Sequence, residues 1–112
     1  MQEDGNVGIG NAAPSAFTVV PADDLVIGDG TGSRGITIYG ATDSTAMLVF
    51  ADGTDTADQY KGLIQYFHTE DRMTFHTANT ERMRIDSSGN VTMPSQPAFS
   101  VQLAGTQSNI PI

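Results

Sequence analysis

No window of this chain carries apolar residues at a sustained 3.6-residue spacing. What recurs is alternation over four to seven residues, closed each time by Gly, Asn, Asp, Ser or Thr. That pattern predicts short strands and turns rather than helices. The last half is the most legible. Gly62 to His68, Met73 to Thr77, Glu81 to Asp86 and Val91 to Met93 read as four consecutive strands. Their connections, Thr69–Arg72, Ala78–Thr80 and Ser87–Asn90, have the length and composition of hairpin loops. Alternation puts Met73 and Phe75, then Met83 and Ile85, then Val91 and Met93 on one face. Thr74, Arg82, Arg84 and Thr92 fall on the other. With a four-residue first loop, His68 is expected opposite Met73 and Tyr66 opposite Phe75. The result is an antiparallel meander with one apolar and one polar face, and such a face must be covered.

The first half is sparser. Val7–Ile9, Ala16–Val20, Leu25–Ile27 and Ile36–Tyr39 are expected strands, and Pro21 ends the second of them. Gly28–Ser33 is a glycine-rich loop. Met47-Leu48-Val49-Phe50 is apolar at every position, as in a strand covered on both sides. Thr54–Gln59 reads as an exposed loop.

Composition limits how that covering can happen. Apolar residues make up 38% of 112 residues, Trp and Cys are absent, and Gly numbers 12. A single domain of this length buries only a modest core, so burial against other copies is one way to shield these strands. Without Cys there is neither a disulfide framework nor a thiolate metal site. Five Lys and Arg against 13 Asp and Glu give a net charge of −8, which disfavours nucleic acid and anionic membranes as partners. No apolar run reaches the 18 residues a spanning helix needs, and the polar, acidic start is not a signal peptide. Arg72, Arg82 and Arg84 lie close together, whereas the acids concentrate from Asp23 to Asp58. This asymmetry suits contact between copies, but a solvated mixed surface is the plainer reading.

The chain echoes itself. Gly5-Asn6-Val7 returns as Gly89-Asn90-Val91, 84 positions later, and each copy is followed by a proline. Units that end as they begin stack into elongated bodies. The longer string Glu81-Arg82-Met83-Arg84-Ile85-Asp86-Ser87-Ser88-Gly89-Asn90-Val91 resembles the ERMRIDSSGNVGIG motif of phage tail-fibre and tail-spike shafts, found in marine and cyanobacterial viruses. Gly5 to Pro14 is similar to the continuation of that motif. Ile27 to Ile36 and Phe50 to Thr54 also look like this family, so the resemblance spans roughly residues 4 to 93. It implies an intertwined homotrimeric shaft of parallel chains, partnered by other fibre or tail proteins in an extracellular virion structure. Residues 1–22 then end a preceding repeat and 23–94 form the shaft repeat. Residues 95–112, with Pro97–Val101 and Gln107–Pro111, resemble the entry strand of a TNF-like jelly-roll head. Val91-Thr92-Met93-Pro94 departs from the family's GNVGIG, as a last repeat before a head would.

The expected fold is therefore all-β. The expected trimer core is Ile36, Ile38, Met47, Val49, Ile64, Tyr66, Met73, Phe75, Met83, Ile85, Val91 and Met93. No catalytic constellation is visible. His68 and His76 are expected on opposite faces, and no nucleophile elbow occurs. No cofactor motif survives its context: Gly28–Gly32 lacks the Lys-Ser/Thr and the helix of a phosphate loop. No metal site is expected. His68 is the one candidate, meeting its copies on a three-fold axis, against the plainer reading of a packed histidine bonded to a backbone carbonyl. Asp29, Asp52 and Asp55 match no calcium loop and are explained by turn chemistry. Tyr39, Tyr60 and Phe67 are candidate contacts for a host-surface glycan, or else core aromatics. The alternative function is a carbohydrate-binding or adhesion module. A polysaccharide hydrolase would need carboxylates clustered in a groove, whereas these acids sit mostly in turns.

Overall fold

The computed structural model describes residues 5–19 and 21–96. Among these residues it is mostly β, with seven strands and two short 3-10 turns. The chain divides into two compact units, Met1–Thr37 and Ile38–Ile112. Leu25–Ile27 falls in the first of these units.

In the first unit, β1 (Val7–Ile9) pairs in parallel with β2 (Leu25–Ile27). Two backbone bonds continue the ladder, Val7 N–H to the Asp24 carbonyl (2.7 Å) and Gly28 N–H to that of Ile9 (2.9 Å). Parallel strands need a crossover, and polar side chains fix this one. Buried Asn6 donates to Asp23 (2.8 Å), and Asn11 donates to the Gly28 carbonyl (2.6 Å). A strand was expected over Ala16–Val20, but Pro14–Ala16 forms a 3-10 turn. Pro14 fixes φ for a first helical turn, and this preference outweighs the β-formers behind it. Val20 lies outside the described residues.

In the second unit, β3 (Thr45–Phe50), β4 (Gly62–Phe67), β5 (Arg72–Thr77), β6 (Thr80–Ile85) and β7 (Val91–Thr92) form one antiparallel sheet in sequence order. The four strands read from the last half are present within about one residue at each end. The expected strand at Ile36–Tyr39 is not, and Ile36 and Ile38 are exposed outside any strand. Alternation alone is insufficient where no neighbour accepts the ladder bonds.

The turns explain the register. Ala78 and Asn79 both have positive φ (49° and 60°), the signature of a two-residue type I′ turn rather than the expected three-residue loop. Asn79 suits that conformation, and its side chain donates to the carbonyls of Ala57 and Tyr60, tying the hairpin to the β3–β4 connection. Asp71 (φ 47°) ends the β4–β5 loop, which comprises His68–Asp71. Starting that loop one residue early pairs Tyr66 with Met73 and Ile64 with Phe75, not Tyr66 with Phe75. The face assignment survives because the shift is by an even number of residues.

An L-residue other than Asn or Asp is strained at the Ala78 conformation. Ala78→Asn should raise stability by about 0.5–1 kcal/mol and Ala78→Val should lower it by a larger amount. Thermal unfolding at one fixed concentration checks both signs.

Candidate assembly interface

The register lines up side chains in rows across the second unit's sheet. One face carries Ala46, Tyr66, Met73, Ile85 and Val91 in one row, and Leu48, Ile64, Phe75 and Met83 in the next. Phe50, Gly62 and Thr77 follow. The other face carries Met47, Gln65, Thr74, Arg84 and Thr92, flanked by Val49, Leu63, His76 and Glu81. Of the expected core, Ile64, Tyr66, Met73, Phe75, Met83, Ile85 and Val91 share the apolar face. Met93, just past β7, is exposed. Met47 and Val49 do not belong: β3 presents Ala46, Leu48 and Phe50 there instead. An all-apolar strand hides its parity, and the connection from 51 to 61 is too long to dictate register.

The apolar face is not fully buried. Its interior residues are half-buried, while Leu48, Phe50 and Val91 are 53%, 56% and 58% exposed. The expectation that Met47–Phe50 is covered on both sides therefore fails within one chain. Among the described residues, Leu63 and Pro14 are the apolar side chains that the chain buries by itself. Covering a half-exposed Phe, Met, Leu or Ile is worth roughly 1 kcal/mol or more, so the whole face is worth on the order of 10 kcal/mol per chain. A domain's entire stability has that size.

The polar face is packed by polar groups. Thr74 is wholly buried (0% exposed), and its hydroxyl lies 3.1 Å from His76 Nε2, which is 3.2 Å from Gln65 Nε2. A hydroxyl beside an imidazole has the spacing of a nucleophile and its base, but no substrate reaches a fully buried Thr74. Residues three apart on a regular strand face opposite ways. The bulge between Phe75 and His76 brings Glu81 onto the face of Arg84, so the guanidinium binds the carboxylate through two bonds of 2.9 and 3.0 Å. Arg82 is the extra residue of that bulge. It leaves the row of Thr74 and Arg84, where alternation placed it, and donates to Thr77 (3.1 Å).

The remaining candidates separate. His68 packs edge-on against Tyr66 with centroids 5.1 Å apart. Its Nε2 is buried beside Gly40 with no hydrogen-bond partner, so the backbone-carbonyl bond expected for it does not form there. That nitrogen is enclosed by its own chain and cannot serve an ion shared on an axis. His76 lies on the opposite face. Tyr39 is 96% exposed and Tyr60 is also exposed, but one face of the Phe67 ring is taken by the Arg72 guanidinium at 4.0 Å. Among the described residues no group of His, Asp and Glu could hold a metal.

The repeated turn also has a mechanism. Asp86 accepts from the backbone N–H of Ser88 and of Asn90 (both 2.9 Å) and from the Asn90 side chain (3.0 Å). Gly89 takes φ 84°, a value that favours glycine. Gly5, its counterpart, has φ 88°, and a strand again begins two residues later. Sequence composition alone did not single out Asp86, although an Asp four residues before Asn in a Ser-Gly turn is the signal.

Hydrogen bonds from Asn90, first from its side chain and then from its backbone, hold the Asp86 carboxyl below the usual carboxylate range. The Arg84 hydrogen bond does the same for Glu81. Both folded values lie below the unfolded ones near 4. Their stabilisation is therefore complete above about pH 5 and is lost as pH falls through the folded values. Unfolding midpoints should fall below pH 4. Asp86→Asn should shrink that acid fall, whereas an unchanged pH profile would refute the role given to Asp86.

Family models give no match to this chain, and searches of curated proteins and of solved structures give none either.

Proposed function

We propose that this chain is a structural segment of a trimeric viral tail or surface fibre. It spaces a receptor-binding tip from the particle and so supports host attachment. Its partners are two further copies of itself and adjoining fibre or tail proteins, in an extracellular part of the virion. The observation that carries this reading is the five-stranded sheet with a half-exposed apolar face, with little apolar surface buried among the described residues. The repeated turn supports it: Gly5 and Gly89, the glycines of the two Gly-Asn-Val strings, both take positive φ, as recurrence of one turn requires. The likeness of Glu81–Val91 to fibre shafts points the same way. The work done is mechanical, since mutual burial makes the rod stiff and no chemistry is needed.

The exposed Tyr39 and Tyr60 favour one second reading, a carbohydrate-binding or adhesion module. A glycan array probed with the isolated protein separates the two. A shaft leaves every glycan unbound, and specific binding lost in Tyr39→Ala or Tyr60→Ala establishes the module.

Phe75→Asp and Ile85→Asp should each abolish assembly, because they bury a charge in the shared interior. Arg84→Ser, on the opposite face, should assemble as the unmodified chain does. Equal trimer yields for all three in size-exclusion chromatography would refute the reading.

A further inference from the structure

Among the described residues no further strand pairs with either edge of the sheet, and the two edges differ. β7 is two residues long and is soon followed by Pro94, which suits a short, terminated edge. β3 has six residues with no charge, proline or glycine. Met47, Leu48, Val49 and Phe50 are all exposed, on both faces of the strand. Such a strand, unguarded and apolar throughout, has the composition of a sheet interior with both edges paired. Charge narrows where another copy can approach. The chain carries −8, yet Ser44–Ala51 and Ser87–Pro94 contain no charged residue. Two like-charged copies meet at least cost along those strips.

Side-chain size gives an independent indication. Across one apolar row the order is Ala46, Tyr66, Met73, Ile85, Val91, with the smallest residues at the edges and the longest in the middle. The next row peaks at Phe75 and Met83. At the edge of the third row, Phe50 lies against Gly62, which has no side chain to oppose it. Two facing sheets keep a gap of about 10 Å and call for even lengths. Three sheets meeting as a triangle leave shallow corners and a deep centre. Five strands at about 4.8 Å span about 24 Å, which sets the three-fold axis about 7 Å from each sheet. Phe and Met side chains on the middle strands are suited to that depth, and Ala46 and Val91 to the corners.

We propose that β3 of one copy pairs with β7 of the next around a three-fold axis, closing three sheets into one continuous wall with the apolar face inside. This rests on the three-chain reading above. β3, β5 and β7 run the same way within a chain, so with chains parallel and strands along the axis each joint is a parallel pair. β1 and β2 already pair in parallel in this protein.

The chain has no cysteine, so engineered disulfides report without background. Thr92→Cys is combined in turn with Thr45→Cys, Met47→Cys and Val49→Cys, all on the polar face and outside the shared interior. On mild oxidation, one of these double variants should run mainly as a covalent trimer in a denaturing gel, and no single variant should do so. If the double variants sediment as trimers but none links above the level of the single variants, the edge joint is wrong and the three-chain reading stands. Disulfide dimers from single β3 variants mean that β3 pairs with itself, which also overturns the joint. Sedimentation of the unmodified chain as a folded monomer removes both.

Discussion

A sheet of one layer cannot hide both of its faces, and everything else in this protein follows from how the two are treated. Polar groups close one face from within. Thr74 and Gln65 each contact the His76 imidazole, Arg84 grips Glu81, and Arg72 lies over Phe67. Buried polar groups are costly only when unpaired, and Thr74, Arg84 and Glu81 have partners here. The opposite face has Phe75, Met83, Ile85 and their neighbours in rows that stay partly exposed. Its stabilising free energy is available only when another surface arrives.

Turn chemistry makes that face coherent. An odd shift at any hairpin would move half of its apolar residues to the wrong side. The type I′ turn at Ala78-Asn79, the left-handed Asp71 and the Asp86–Asn90 turn each fix one junction through backbone geometry or a local side-chain bond. The bulge at Phe75/His76 then moves Glu81 across the sheet while keeping Met83 opposite Phe75. Local polar chemistry thus sets the register, and the register gathers the apolar rows.

The meander was legible because its signals are local: period-two alternation, short loops and turn residues in consecutive hairpins. What depends on distant partners was not. Ile36–Tyr39 alternates as cleanly as any strand, yet no strand pairs with it. Pro14 opens a 3-10 turn just ahead of a run of β-formers, and the parallel pairing of β1 with β2 crosses a connection that has no sequence signature. In the candidate interface, Ile64 to Val91 could be placed by parity. Met47 and Val49 could not, since an all-apolar strand carries no parity and a long connection precedes β4. The roles of Arg82 and Glu81 needed the bulge, which nothing in the alternation announces.

The central claim is that the apolar face is an interior shared by three identical chains. Sedimentation equilibrium of the unmodified chain over a wide concentration range tests it most directly. The account predicts a single folded species of three times 11.8 kDa, with strand content lost whenever dilution or acid separates the chains. A folded species of 11.8 kDa that keeps its strand signal at every concentration would contradict it.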